Sequence, residues 1–154
     1  MAEELVKARI TAVKEIAHGL GTYNRGLQSA VASARSDLNA VTAEFQLAVV
    51  GSQRRLQAAQ NSTRAAAAAL AACRENCGSQ QQALSRARVQ EDLADREHQS
   101  NKQAQSAYER VARDLLATLR TVTANAAQQV PSARQNVLEY AETLTAYLRS
   151  GTAG

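Results

Sequence analysis

Apolar residues recur along the first half of the chain at intervals that alternate between four and three positions. An average spacing of 3.5 residues is typical of a helix that packs along its length against another helix, as in a coiled coil. The pattern predicts one long helix with an apolar seam, defined here as the row of residues that faces the partner helix. The predicted seam residues are Val6, Ile10, Val13, Ala17, Leu20, Asn24, Leu27, Val31, Ala34, Leu38, Val41, Phe45 and Ala48.

Two irregularities occur in this repeat. Asn24 is the one polar residue in the row, and such a residue either fixes the register of a helix pair or marks a local break. The sequence leaves both interpretations open. Beyond residue 48 the repeat changes phase and continues through Leu56, Ala59, Thr63 and Leu70, as a stutter, an inserted four-residue step, would produce.

The second half of the chain carries a similar but weaker repeat. A polar stretch follows Leu84, and the apolar spacing becomes regular again from Ala104. The pattern predicts a second long helix that supplies the other side of the seam. Its predicted seam residues are Leu84, Ala104, Tyr108, Val111, Leu115, Thr118, Val122, Ala133, Val137, Tyr140, Leu144 and Tyr147.

A turn signal separates the two repeats at the midpoint of the chain. Gly78 is the residue type preferred just after a helix, and Ser79 is a preferred N-cap of the next. The sequence therefore predicts an all-α fold, a long antiparallel helical hairpin or coiled coil that turns near Gly78. In such a hairpin, residue i lies level with residue 155 minus i.

We expect this hairpin to form a single elongated domain over residues 1–150. Its arms would span residues 2–77 and 79–150, and residues 151–154 would form a frayed tail. The alternative is a shorter bundle of four to six helical segments, broken near residues 19–26, 51, 78, 100 and 130. Residues 51–53 read Gly-Ser-Gln, the same sequence as residues 78–80 at the predicted turn. Gly51 could therefore mark either a kink or a turn.

The composition supports helices and excludes most other fold classes. The chain has 33 alanines, one proline and no tryptophan, whereas sheet proteins need β-branched and aromatic runs punctuated by glycine and proline. Alanine is the strongest helix former. Because small side chains fill little volume, two helices can pack closely but a broad globular core would be underfilled. The excess of alanine and of arginine over lysine also suggests a GC-rich bacterial genome.

The sequence predicts no transmembrane segment. Its longest apolar run, residues 65–73, is mostly alanine and falls short of the roughly 20 residues that a membrane-spanning helix needs. The first residues lack the apolar stretch of a secretory signal, and the two cysteines are expected to be reduced thiols. We therefore expect a cytoplasmic protein, or one exported without a cleavable signal.

No motif of an enzyme or a cofactor site occurs in the sequence, so we expect neither catalysis nor a bound cofactor. Glu15 and His18, and likewise Asp95 and His98, have the three-residue spacing of half a carboxylate-bridged metal site. Such a site needs two of these pairs and two further glutamates in one bundle core. The predicted hairpin keeps the two pairs far apart, so both histidines are expected on solvated helix surfaces.

Cys73 and Cys77 lie four residues apart, on one face of the predicted first helix near its end. The first expectation is that they are small core residues close to the turn. A disulfide under oxidising conditions is the second. A metal site is the weakest alternative, because zinc commonly requires a second pair of ligands.

Large apolar residues beside the predicted seam indicate that a two-helix hairpin leaves apolar surface uncovered. A wider apolar stripe calls for a third or fourth helix. We therefore predict a non-enzymatic structural or interaction protein, such as a scaffold, an adaptor or a secretion-associated component, that assembles with copies of itself or with partner helices. The predicted interaction residues are Leu47, Val49, Val50, Leu116, Leu119, Tyr140, Tyr147 and Leu148.

One stretch with charges of a single sign supports an alternative function. Between Glu44 and Glu75 there is no acidic residue, and the basic residues Arg54, Arg55, Arg64 and Arg74 fall within residues 45–74. Such a stretch could bind a nucleic acid or another anionic surface. Nucleic acid is the less expected partner, because the stretch has few aromatic residues to stack on bases.

Overall fold

A computed structural model of the chain describes residues 2–151. It contains two helices, α1 (Ala2–Ala72) and α2 (Gly78–Gly151), which form a helical hairpin. Residues 2–151 include no strand. The predicted all-α hairpin turning near Gly78 is therefore confirmed. Of the expected frayed tail, Gly151 is helical and residues 152–154 lie outside the described range.

The alternative bundle of four to six segments is wrong, because both helices continue through every predicted break except the one at the turn. Helix α1 runs through Gly51, and α2 runs through Pro131. One glycine costs a helix only about 1 kcal/mol relative to alanine. The surrounding alanine, leucine, arginine and glutamine residues favour the helix, and packing along the hairpin adds to that preference.

The turn differs in detail from the predicted one. Helix α1 ends at Ala72, with five residues between it and Gly78, and Gly78 is already the first residue of α2. The residue in the left-handed region is Asn76, with a φ of 53°. Asparagine adopts this conformation more readily than most residues, since its short polar side chain can hydrogen-bond locally. The turn is therefore centred near residue 75, and the amide of Gln81 donates to the carbonyl of Cys77 at 3.0 Å as α2 begins.

Burial along α1 follows the predicted seam up to Phe45 and then changes phase. Ala48 is exposed, and Val49 is half-buried in its place. The next seam residues are Ser52 and Leu56, both buried, so two successive four-residue steps lead from Val41 to Val49. This is the predicted stutter, but it begins after Phe45 and therefore one seam step earlier than the sequence pattern put it.

The hairpin divides into two compact units. Unit 1 comprises the described residues up to Ser36 together with those from Leu115 onward, and unit 2 comprises Asp37–Asp114. Unit 1 buries apolar seam residues of both helices. These are Ile10, Ala17, Val31 and Ala141. In unit 2 the buried residues include polar ones, and the set is Ser52, Leu56, Leu84, His98 and Ala112.

The predicted seam of α2 is correct at Val137 and Leu144, which are half-buried, and wrong at Ala104, Tyr140 and Tyr147, which are exposed. It is also wrong from Val111 to Ala133. The sequence there offers two apolar rows that are offset by one residue, and the structure turns the second towards the partner helix. Ala112 is buried, and Leu116, Leu119 and Thr123 are half-buried. This row continues from Tyr108 through two four-residue steps, which simple heptad counting does not anticipate. The members of the rejected row are exposed, namely Val111, Leu115, Thr118 and Val122.

Within residues 2–151, neither helix has a segment apolar enough to cross a bilayer.

Candidate interaction surface

A buried polar contact joins the two helices in unit 2. Ser52 is fully buried and His98 is only 7% exposed, and Ser52 Oγ lies 3.0 Å from His98 Nδ1. The serine hydroxyl also donates to the carbonyl of Val49 at 2.9 Å. Because a hydroxyl has a single proton, His98 Nδ1 must carry the hydrogen and donate it to Ser52 Oγ. The expectation that His98 lies on a solvated surface is therefore wrong.

The physical reason for this error is the register of the hairpin. Because the turn is centred near residue 75, residue i lies level with about residue 150 minus i, and His98 meets Ser52 instead of residue 57. The small side chain of Ser52 then leaves room for the imidazole ring of His98 in the seam. His18, by contrast, is exposed as expected.

Two further polar contacts flank the buried pair. The guanidinium of Arg55 donates to both carboxylate oxygens of Glu97, from Nε at 3.2 Å and from a terminal nitrogen at 2.5 Å. The amide of Asn101 donates to the carbonyl of Ala48 at 3.3 Å. The stretch that lacks acids in sequence therefore has an acid beside it in space, and Arg55 is ion-paired. Arg54, Arg64 and Arg74 are exposed.

The aromatic residues of unit 2 add a third point of contact between the helices. The rings of Phe45 and Tyr108 stack with centroids 5.0 Å apart. The hydroxyl of Tyr108 donates to the carbonyl of Leu38 at 2.8 Å. Tyr108 therefore lies in the seam, as predicted, and fixes the helix pair through both its ring and its hydroxyl.

The predicted interaction residues divide into two groups in the structure. Val49, Leu116, Leu119 and Leu148 are half-buried and belong to the seam of the hairpin itself. The other four expose most of their apolar surface or about half of it. They are Leu47, Val50, Tyr140 and Tyr147, with Leu47 73% and Tyr147 69% exposed.

In unit 1, the large exposed apolar residues on α1 share one kind of position. Each of them immediately precedes a seam residue in sequence. Leu5, Ile16 and Tyr23 precede Val6, Ala17 and Asn24 respectively, and Tyr23 is 61% exposed. At 100° per residue these positions lie to one side of the seam. The complete row contains one charged residue and consists of Leu5, Arg9, Ala12, Ile16, Gly19, Tyr23, Gly26, Ala30 and Ser33.

Helix α2 of unit 1 shows the same pattern. Leu115, Val122, Tyr140 and Tyr147 are exposed and each directly precedes a seam residue. No charged side chain occurs at the positions of this row, which also include Thr118, Asn125, Gln129, Asn136 and Thr143.

Both rows lie on the same face of unit 1. In an antiparallel pair of right-handed helices, residues on the same rotational side of each seam come together. Two contacts in the structure illustrate this rule. In unit 2, Arg55 and Glu97 each precede a seam residue and form an ion pair. In unit 1, Lys14 follows a seam residue and lines a groove with Leu138, Glu142 and Thr145 of α2, which also follow seam residues.

Unit 1 therefore has two contrasting faces. We call the first the apolar face, formed by Leu5, Ile16, Tyr23, Leu115, Val122, Tyr140 and Tyr147. The opposite face is basic on its α1 side, where the positions after the seam include Lys7, Lys14, Arg25 and Arg35. An exposed apolar face on one side only is typical of a surface that packs against another molecule.

The two cysteines form a disulfide across the turn. Cys73 and Cys77 are bonded, with their Cα atoms 5.9 Å apart. Because α1 ends at Ala72, they do not share a helix face, and the expectation of reduced core thiols is wrong for this structure. Within the described residues, no three His, Cys, Asp or Glu side chains come close enough to hold a metal ion.

Comparisons with known proteins do not relate the chain to a known family. No protein-family model, no curated protein and no solved structure matches it.

Proposed function

We propose that this protein is a non-enzymatic structural or interaction protein that assembles through its helices, with copies of itself or with partner helices. The observation that carries the proposal is the apolar face of unit 1. Seven large apolar side chains are exposed there, at positions that have one helical repeat in common. Within the hairpin their exposed fractions range from 41% at Val122 to 69% at Tyr147.

A partner that covers these side chains removes their apolar surface from water, which contributes free energy of binding. Complete burial of a leucine or a similar side chain stabilises a complex by about 1.5–3 kcal/mol. Three of the seven are tyrosine, a residue enriched in interface hot spots because its ring buries apolar area while its hydroxyl keeps a polar partner. A partner that covers the face would therefore bind without having to desolvate many charges.

The size of the protein in native extracts of its source cells tests this proposal. We expect the chain to migrate in a complex larger than the monomer. Tyr140→Glu combined with Tyr147→Glu introduces two charges into the face and should reduce the complex to monomer. Val89→Glu combined with Leu93→Glu is the matched control, because both residues are exposed on α2 outside the apolar face, in unit 2.

A wild-type chain that is monomeric both in native extract and after purification would contradict the proposal. Loss of the complex in the control variant to the same extent would contradict it as well, because the assembly would then not depend on the apolar face. Circular dichroism of each variant establishes that the helices are retained.

The alternative function is the binding of a nucleic acid or another anionic surface by the arginines of residues 45–74. The structure gives it no support. Arg55 is already paired with Glu97, which lowers the free positive charge of this stretch. An affinity for anionic polymers that falls steeply with salt would favour it over assembly.

The disulfide bears on the location of the protein. Disulfides persist in oxidising compartments and are rare in the cytosol of most organisms. Of the two predicted locations, the Cys73–Cys77 bond favours an exported protein over a cytoplasmic one. Labelling of free thiols in intact cells and in separated fractions tests this, since an oxidised pair should resist the label until a reductant is added.

A further inference from the structure

We propose that the apolar face of unit 1 binds the same face of a second copy of this chain, in an antiparallel arrangement about a twofold axis. This inference rests on the proposed function, because it names the partner for the same face. Three properties of the face favour a copy over a different protein. These are its extent, the alternation of large and small residues along α1, and the position of its single charge.

The extent of the face matches what a stable dimer needs. On α2 it reaches from Leu115 to Tyr147, about 48 Å at a rise of 1.5 Å per residue, and two helices side by side are about 20 Å wide. Covering this area on two copies would remove roughly 1,900 Å² from water, within the ~1,200–2,000 Å² of specific, stable interfaces. One copy therefore offers a surface large enough to hold another.

Large and small residues alternate along the α1 part of the face. From Ala12 the row reads Ala12, Ile16, Gly19, Tyr23 and Gly26. Side chains of facing helices interdigitate when large residues of one lie opposite small residues of the other. On a surface where large and small residues alternate, the large residues of one copy can pack against the small residues of a second copy.

A twofold axis level with residue 21 of α1 aligns the two sets. It places Tyr23 opposite Gly19 of the partner subunit, and Ile16 opposite Gly26 of the partner subunit. Both glycines have open space where a side chain would begin, with no atom within 4 Å of the Cβ position. The hairpin itself therefore does not need glycine at either position, whereas a close approach of a second helix does.

The same axis explains why the apolar face can contain one charged residue, Arg9. Arg9 would lie opposite Ser33 of the partner subunit. The two copies of Arg9 would then be 24 residues apart along the helix, about 36 Å, which exceeds the roughly 8 Å screening length at physiological ionic strength. The opposite face carries Lys14, Arg25 and Arg35 on α1 and Glu142 on α2, so two copies that met there would have to desolvate these charges. Contact through the apolar face, which has one charged residue, largely avoids that cost.

A series of glycine variants of the full-length chain, studied by sedimentation velocity over a range of concentrations, tests the inference. Gly26→Leu fills the hole that Ile16 of the partner subunit would occupy, and should raise the dissociation constant at least tenfold. Gly21→Leu is the matched control. Gly21 has open space at its Cβ position as well, but it follows a seam residue and lies outside the apolar face. The dimer of the Gly21→Leu variant should therefore have the same dissociation constant as the wild-type dimer.

The possible outcomes separate this inference from the function on which it rests. Equal dissociation constants for Gly26→Leu and Gly21→Leu would overturn the second-copy arrangement, and so would a purified wild-type chain that remains monomeric at 100 µM. The proposed function would survive either result if the native complex is still lost in the Tyr140→Glu and Tyr147→Glu variant. It would fail together with the inference if the wild-type chain is monomeric both in native extract and after purification.

Discussion

At the scale of single residues, the contact between Ser52 and His98 has the greatest consequence for the hairpin. Both side chains are buried, and a buried polar group without a partner costs more than the hydrogen bond itself contributes. A slip of one residue between the helices would separate the two groups and leave both unpaired. The pair therefore favours one register in a region where many neighbouring residues are alanine or glutamine and packing alone discriminates weakly.

We expect Ser52→Ala to lower the free energy of unfolding by about 1–2 kcal/mol, because it leaves the Nδ1 hydrogen of His98 buried without an acceptor. Urea unfolding followed by circular dichroism measures the change. Ser62→Ala, at an exposed position of the same helix, is the control and should change the stability by less than about 0.5 kcal/mol. Equal effects of the two substitutions would show that the contact with His98 has no energetic role.

Asn24 presents the opposite case at the same scale. It occupies the seam of unit 1 without breaking the helix, so the interpretation as a local break is wrong. Its Oδ1 atom is buried, and no hydrogen-bond donor among the described residues reaches it. Unlike Ser52, this residue reduces the stability of the hairpin.

Asn24→Leu should therefore raise the free energy of unfolding by about 1–3 kcal/mol, since it removes an unpaired polar group and buries apolar area in its place. Thermal unfolding provides the measurement. Asn39→Leu serves as the control for the better helix propensity of leucine, because Asn39 is exposed on the same helix. If Asn39→Leu stabilises the chain as much as Asn24→Leu does, burial of the amide is not the cause.

At the scale of the elements, the turn is the part of the hairpin held by a covalent bond. The disulfide closes a loop of five residues between the end of α1 and the start of α2. By limiting the conformations of the unfolded chain, a loop of this length stabilises the folded state by about 2 kcal/mol.

We expect a reductant to lower the unfolding temperature of the wild-type chain, because it removes this restriction. Cys73→Ser combined with Cys77→Ser should have the lower unfolding temperature from the outset and should not respond to reductant. A wild-type unfolding temperature that is the same with and without reductant would show that the bond does not contribute to stability.

The fold was predictable from the sequence at this scale because the 3.5-residue repeat from Val6 to Phe45 has few exceptions, and Gly78 lies close to the turn. The seam of α2 was not predictable between Tyr108 and Val137, since Val111 and Ala112 begin two rows that both read as apolar. Only the packing of the partner helix selects between them. The more apolar row is the exposed one, which is why seam counting alone concealed part of the apolar face.

The polar contacts could not be predicted for a different reason. His98 lies in a polar stretch, and its partner Ser52 is 46 residues away in sequence, so recognising the contact requires the register of the hairpin to within one helical turn. That register depends on the position of the turn, which the glycine indicated only to within a few residues. The pattern of a serine after Gly51 was visible, but it does not by itself identify a histidine partner.

At the scale of the whole molecule, we propose that the hairpin is incomplete by itself. Its seam buries a mixture of larger residues such as Ile10 and Leu56 and small or polar ones such as Ala17 and Ser52. Seven large apolar side chains of unit 1 remain exposed beside it. The chain should therefore bury the apolar face in a dimer or a larger assembly.

The molar mass of the purified wild-type chain, measured by sedimentation equilibrium between 1 and 100 µM, tests this claim most directly. We expect a mass that rises with concentration towards twice that of the monomer, with the helical circular dichroism signal retained. A constant monomer mass over the whole range, for a chain that is fully helical and unfolds cooperatively, would contradict the claim that the apolar face is covered by a second copy.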